Sequence, residues 1–393
     1  MKDPEENGTM DDGDVEDDQS SNDSTPTKAV PFKTLYYVTV SDAVKNGDSL
    51  QFTVQTTKAD TNERLQTCTR QFEDVEWLQH CIITSSDVSG LIIPPLPPRP
   101  DIDPRTAESK SKKQLGSGTK VMVGDEFEKD CRNIQKYLRL ILAHEVFGKD
   151  STLQKFLVDK EPPIRARVKK GLMSRITSVV DEARKGQHRD IDEYFQKKRD
   201  WAAEYSRCVK EASANFNKMV YAQMRLAGCY SYVSTACSST SVYRDEETVK
   251  INQLLLHLGQ GLEEAKHGAE VLSANDERTF GFQLELYARH IDSVREMLFR
   301  RTCLLVDYED ANKALDKAKP NKRGLMEQNK MSAEKSYETC TDNARRELKT
   351  FLQQRMISFE DGLSSFAEAQ IKTARDTYAL LVKTLTTVKK QNL

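Results

Sequence analysis

The sequence contains no apolar run of about eighteen residues, so nothing in it reads as a membrane-spanning helix. Charge of one sign is also missing: the net charge is -2 over 393 residues. The broad basic field of a nucleic-acid binder is therefore absent, and no nucleic acid is expected as a partner. The N-terminus has neither a basic flank nor an apolar segment, so no secretory signal is expected. No Cys-x-x-Cys pair occurs among the cysteines at 68, 81, 131, 208, 229, 237, 303 and 340. Scattered thiols of this kind fit a reduced cytoplasmic protein better than a disulfide framework or a zinc site. The histidines at 80, 144, 188, 257, 267 and 290 form no His-Glu-x-x-His and join no cysteine cluster, so no metal is expected. Gly116-Ser-Gly-Thr-Lys120 lacks the spacing of a phosphate loop and has no strand feeding it, and there is no Gly-x-Ser-x-Gly. These absences lead us to expect a non-enzyme without a cofactor.

Near-neutrality hides segregation. Residues 1–26 hold ten Asp or Glu against one Lys, with no aromatic. Such a segment buries too little apolar surface to offset its ordering entropy, so an acidic disordered tail is expected over 1–29. From about 30 to 80 the texture is strand-like. Leu35-Tyr-Tyr-Val-Thr-Val and Leu50-Gln-Phe-Thr-Val-Gln-Thr flank the turn Lys45-Asn-Gly-Asp-Ser, and a third strand should run into Cys68–Phe72. Glu73–Ile83 should be helical, with Val75, Leu78 and Ile82 on one face. Five prolines in Ile92–Pro100 enforce extended backbone. Residues 101–124 are polar and rich in Gly, Ser and Lys, so a flexible loop is expected there. Glu126–Leu142 should be helical, burying Ile134, Tyr137, Leu138 and Ile141, and Leu153–Leu157 should form a short closing helix. This order gives a small α+β unit with an antiparallel sheet.

The second half reads as three long helices, near 190–238, 244–317 and 325–390, broken at Ser238-Ser-Thr-Ser and Lys319-Pro-Asn-Lys-Arg-Gly324. Ile291, Leu298 and Leu305 are seven residues apart, as are Tyr308 and Leu315, and Val294 lies between. A seven-residue repeat keeps one stripe facing a partner helix. Arg301 and Asn312 interrupt that stripe, and polar seam residues can select partner or register. Leu352, Met356, Phe359, Leu363 and Phe366 should continue the seam on the third helix. Gly259, Gly261, Gly268 and Gly281 weaken the second helix and should let it bend. Helices of this length make an elongated three-helix coiled coil rather than a globule.

The strands, then Arg70-Gln-Phe-Glu-Asp-Val-Glu-Trp-Leu78, then Ile-Pro-Pro-x-Pro, then Tyr137-Leu-x-x-Ile-Leu-x-His144, resemble a phox-homology (PX) domain. With the stretch Arg300–Lys319 in a long helical region, the chain resembles sorting nexins that carry a BAR domain, in the sorting nexin 5, 6 and 32 group. The expected division is a PX domain over 30–160, a basic linker and amphipathic helix over 161–187, and a BAR domain over 188–393. The resemblance implies a cytoplasmic protein peripheral on early endosome membranes, active in endosome-to-Golgi or recycling transport. Implied partners are a sorting nexin 1 or 2 type protein or a second copy, the cytoplasmic tails of transmembrane cargo, and anionic endosomal membrane. A phosphoinositide-dependent homodimeric scaffold, or a cargo-peptide adaptor without remodelling activity, are the alternatives.

The resemblance also assigns sites. Lipid-binding PX domains place a basic residue before the aromatic that stacks on the inositol ring; here Gln71 precedes Phe72. A second Arg is expected where Asp130 stands, and Gln cannot neutralise a phosphate while Asp repels one. Arg70, Arg99 and Arg132 are the remaining cations, so a degenerate phosphoinositide pocket is expected. A helical insertion in this group helps a sheet edge hold an extended cargo tail, and only Val123, Phe127 and Cys131 match its apolar face. They either line a groove or pack on the sheet. Arg165, Arg167, Lys169 and Lys170 lead into Leu172, Met173, Ile176, Val179 and Val180, an apolar stripe at helical spacing. That stripe either lies in an anionic interface or packs on the coiled coil. Lys317, Lys319, Lys322 and Arg323 fall at the turn between the second and third helices, the tip of a BAR-like rod, where they either touch lipid or are simply solvated.

Overall fold

The computed structural model describes residues 34–47, 49–117, 127–164, 188–239 and 245–390. Its N-terminal part is a three-stranded antiparallel sheet in the order β1-β2-β3, formed by Tyr36–Asn46, Ser49–Lys58 and Arg64–Gln71. Gly47, at a φ of 60°, makes the β1–β2 turn, which the sequence placed correctly. A bulge between Val40 and Ala43 offsets β1. The alternation of β2 puts Leu50, Phe52, Val54 and Thr56 inside. Helix α1 (Phe72–Ser85) starts where Asp74 accepts a hydrogen bond from the Gln71 N–H at 2.7 Å. It buries Val75, Leu78 and Ile82 against the sheet. Helix α3 (Glu128–Ala143) and helix α4 (Ser151–Val158) close the core with Ile134, Tyr137, Leu138, Ile141, Leu153, Phe156 and Leu157.

The loop expected over 101–124 is corrected in part. Pro104–Leu115 is a helix, α2. Asp103 caps it, accepting from the Arg105 and Thr106 N–H groups, and Pro104 fills the first turn, where its missing N–H costs nothing. No glycine falls within it, and a Lys112–Glu108 pair one turn apart adds support. Polarity and the Gly, Ser and Lys content of 101–124 point to a loop; the cap and the glycine-free run of 104–115 decide for helix.

The C-terminal part is a bundle of three rods. The first is α5 (Glu193–Ser238). The second is α6 (Glu246–Asp276), a π-helical turn (Glu277–Gly281) and α7 (Phe282–Asp316). The third is α8 (Arg323–Lys390), 68 residues and so about 100 Å long. The glycines of the second rod serve close approach more than bending. A Cβ on Gly259 would lie 3.1 Å from Ser234 O, and one on Gly261 would lie 3.0 Å from Thr384 Cγ2. The break in helical regularity is the π-turn, where Gly281 leaves room for Phe216. There the buried Asp276 accepts from Gln223 at 2.9 Å and Gln370 at 2.6 Å, joining all three rods.

Ile92, at the start of the proline segment, lies in the core of the bundle with Phe195, Ile291, Val294, Leu298, Leu348 and Phe351. Its N–H donates to Glu347 Oε2 at 3.1 Å, and Arg300 donates to Leu91 O at 2.7 Å. Gly90 presses against the Cys340 carbonyl, with no space for a side chain.

Candidate lipid pocket and partner surfaces

Strand β3 ends in the residues assigned to a phosphate pocket, and alternation sends them to opposite sides. Arg70 points inward and is 1% exposed. Its guanidinium donates to Phe156 O at 2.8 and 3.1 Å, to Thr69 O at 2.9 Å and to Asp159 O. It thereby satisfies carbonyls at the C-terminal end of α4. Arg70 is thus a structural clamp, which corrects its place in the candidate pocket. Gln71 is the N-cap of α1, and Phe72 is buried. Arg99 is brought to Phe72, its guanidinium 5.2 Å from the ring. It also donates to Glu73 at 2.8 Å and Glu76 at 2.6 Å. Arg132 turns to the bundle and pairs with Glu277 at 2.9 Å, with Glu128 at 3.4 Å. Burial pushes the Asp130 carboxyl up to about 6, with Asp101 and Glu277 adding to the rise and Lys129 and Arg132 opposing it. Every cation assigned to the pocket is therefore engaged by carboxylates or carbonyls.

The candidate cargo groove is not assembled from its assigned residues. Val123 lies outside the described residues. Cys131 is 5% exposed within the sheet-facing core, and burial pushes its thiol up to about 11. Phe127, at a φ of 51°, packs against the same core. At these two positions the side chains pack on the sheet-facing core, as the second of the two expected arrangements has it. The outer edge of β1 is also partly occupied. Val38 O accepts from Arg139 at 3.0 Å, the Val40 N–H donates to Gln135 at 2.9 Å, and Tyr36 O accepts from Thr34 at 2.8 Å. Side chains of α3 thus stand where an added strand would bind.

Arg165, Arg167, Lys169, Lys170, Leu172, Met173, Ile176, Val179 and Val180 lie outside the described residues. Lys317, Lys319, Lys322 and Arg323 are all exposed at the turn joining α7 to α8. None has a carboxylate within ion-pair distance among the described residues.

The seam runs inside one chain. Ile291, Val294, Leu298 and Leu305 are buried, Leu315 is half-buried, and Tyr308 stacks on Tyr337 at 5.9 Å while donating to Glu334 at 3.0 Å. Arg301 is 1% exposed and paired with the equally buried Asp190. It also donates to Tyr337 at 2.7 Å and Thr341 at 3.1 Å and lies 3.6 Å over Phe195. This corrects its reading as a partner-selecting residue, because its donors are taken up within the chain. On α8, Met356 and Leu363 leave the internal seam, 68% and 48% exposed.

A second seven-residue repeat, unread in the sequence, runs further along α8: Ile371, Tyr378 and Leu385, with Leu381 and Val388 offset by three. Most of it is exposed, as are Leu226 and Val233 of α5 and Ile251, Leu255 and Leu258 of α6. These elements also line an open apolar groove of about 500 Å³, bordered by Tyr230, Leu254, Leu258, Gly261, Leu381 and Leu385. The repeat spacing alone would have found this stripe; only burial separates it from the inner one. No helix among the described residues is long and apolar enough to cross a membrane.

Comparison with known proteins agrees with this architecture. The PX domain family matches residues 60–160, and the family described as Vps5 C terminal like matches residues 169–337. Sorting nexin-6 of Homo sapiens is 27% identical over 368 residues, 88% of this chain and 89% of that protein. Sorting nexin-32 of Homo sapiens is 28% identical over 383 residues, 90% of this chain and 93% of that protein. The cryo-EM structure of the SNX-BAR Mvp1 tetramer shares the fold, with a TM-score of 0.52 at 12% identity, over 89% of this chain and 99% of that one. The chain therefore joins a PX domain to a Vps5-like, BAR-type helical domain, and is homologous to sorting nexin-6 and sorting nexin-32.

Proposed function

We propose that this chain is a non-enzymatic endosomal sorting nexin that works as one half of a BAR dimer. The observation that carries the reading is the exposed apolar stripe at Ile371, Tyr378, Leu381 and Leu385, beside exposed apolar residues of α5 and α6. A soluble monomer rarely leaves so long a stripe open, and a paired coiled coil buries one. Dimerisation places the Lys317–Arg323 turns at the ends of the assembly, where their free cations meet anionic lipid. Weak contacts at each end add through multivalency when many dimers act together.

The partner in this reading is a sorting nexin 1 or 2 type protein, or a second copy. The PX domain fails to hold phosphatidylinositol 3-phosphate, because Gln71 and Asp130 supply no positive charge and Arg70, Arg99 and Arg132 are already engaged. The site of action is the early endosome membrane, in endosome-to-Golgi or recycling transport of cargo with cytoplasmic tails. Its domains are 30–160, 161–187 and 188–393. Liposome co-sedimentation of the full chain, with and without a sorting nexin 1 type partner, tests this. Binding to anionic liposomes that requires the partner and ignores added 3-phosphate lipid supports a specialised subunit. Strong 3-phosphate-dependent binding by the chain alone refutes the degenerate pocket and favours a homodimeric scaffold.

A further inference from the structure

The face of α3 turned toward the bundle carries Lys129, Arg132, Asn133 and Lys136, spaced i, i+3, i+4 and i+7. At its first end the charges match. Lys129 pairs with Glu285 at 2.8 Å and Glu277 at 3.4 Å, and Arg132 pairs with Glu277. One turn later the pattern inverts. Lys136 has no hydrogen bond or ion pair with any described residue, and Arg139 stands beside it in the same helix. Opposite, α7 presents Arg289 and His290 rather than acids. Arg289 donates one hydrogen bond to Asn133 Oδ1 at 3.2 Å, and its Nε is buried without an acceptor. His290 is 6% exposed, and its Nδ1 is buried without a partner. The carboxylates in reach do not balance this. Glu285 is held by Lys129 and by Asn217 at 2.9 Å, and Asp361 is exposed and beyond ion-pair distance of Lys136.

Like charges held together at a half-buried helix contact repel, and buried donors without acceptors add a desolvation cost. Burial first, then Lys136 and Arg289, press the His290 ring down to about 4 and keep it neutral. Such a cluster is stable when an anion completes it. We infer that the contact between α3 and α7 binds a phosphate group, with Lys136, Arg289 and His290 as its donors. A phosphomonoester carries about -1.5 to -2 charges, which matches two cations. The guanidinium offers Nε and Nη as a fork, the ammonium a point charge, and the neutral imidazole an Nδ1–H. The same group arrives either as a free anion or as the headgroup of a phosphorylated inositol lipid. This position is separate from Gln71 and Phe72, so it stands whether or not that pocket is degenerate. Occupancy would also fasten the PX helix α3 to the bundle.

The test uses the full chain. Thermal unfolding is compared in sodium phosphate and in sodium chloride at equal ionic strength. Sedimentation is compared with neutral vesicles that contain or lack a phosphoinositide. Lys136→Gln and Arg289→Gln are the variants, with far-UV circular dichroism as the folding control. Arg289→Lys, which keeps the charge and loses the fork, serves if Arg289→Gln does not fold. A rise in Tm in phosphate beyond that in chloride, with an affinity at least about tenfold weaker in the variants, supports a soluble phosphate site. No phosphate effect, but phosphoinositide-dependent sedimentation lost in the variants, supports a headgroup site. No excess over chloride and unchanged vesicle binding, or equal responses in parent and Lys136→Gln, overturns the inference.

Discussion

Replacing either member of the Asp190–Arg301 pair leaves the other as an uncompensated charge in the middle of the bundle. Both side chains are 1% exposed. Without Asp190, Arg301 keeps hydrogen bonds to Tyr337 and Thr341 and the face of Phe195, but no anion. Without Arg301, Asp190 keeps an acceptor role toward the Asp192 N–H at 3.0 Å, but no cation. Removing one partner of a buried pair costs about 3–5 kcal/mol, whereas replacing both with apolar groups of similar volume comes near to neutral. Asp190→Leu and Arg301→Met should therefore each destabilise by about 3–5 kcal/mol. The double variant should cost far less than their sum, with a coupling of about 3 kcal/mol. The chain has two tryptophans, so a Trp77→Phe background leaves Trp201 of α5 as the reporter of bundle unfolding in urea. Single costs under about 1 kcal/mol, or additivity within about 0.5 kcal/mol, would refute the claim that the pair acts as a unit.

Asp130 gives a pH prediction. Its folded pKa, about 6, lies above the reference 3.8, so the folded state holds its proton more tightly than the unfolded chain. The ionised form opposes folding: stability falls as pH rises from 4 through 6 and stays lower above that. At 1.36 kcal/mol per unit, discounted for partial exposure, Asp130→Asn should stabilise by roughly 1–2 kcal/mol at pH 7.5. Denaturation at pH 4 should show that gain gone. Gly90→Ala places a Cβ against the Cys340 carbonyl at a backbone angle that disfavours alanine, and should loosen the PX contact with the bundle by about 1–3 kcal/mol. Hydrogen exchange should then quicken around Leu91 and Glu347 while the sheet stays protected. Tyr378→Glu with Leu385→Glu should shift the chain to monomer by light scattering without lowering helix content; an unchanged oligomeric state would move the dimer face elsewhere.

Much of the fold was legible because its signals are local. Strand-like texture and the Lys45–Ser49 turn located β2, and three-four spacing located α1 and α3, to within two residues. Helix α2 was missed because its side chains are almost all polar, while its cap, Asp103-Pro104, spoke against a loop. Heptad spacing identified a helix that needs partners but not which partners, since a stripe has the same spacing whether its own chain or another covers it. Ile291 and Tyr378 differ in burial, not in pattern. The site residues were the least legible. Arg70, Arg99 and Arg132 are alike in sequence, and only long-range contacts show that one caps α4, one faces Glu73 and Glu76, and one reaches the bundle.

Ile92 is bonded through its backbone to a residue 255 positions later. At synthesis rates of about 5–20 residues per second, Glu347 emerges on the order of tens of seconds after Ile92. During that interval the N-terminal domain has its strands and helices but lacks the surface that covers Ile92. The nascent chain thus carries an uncovered isoleucine beside the proline segment, closed only when the last long helix arrives. A chain truncated before Glu347 would keep that apolar site open, and a ribosome-bound chain halted there is where a holding chaperone would find it.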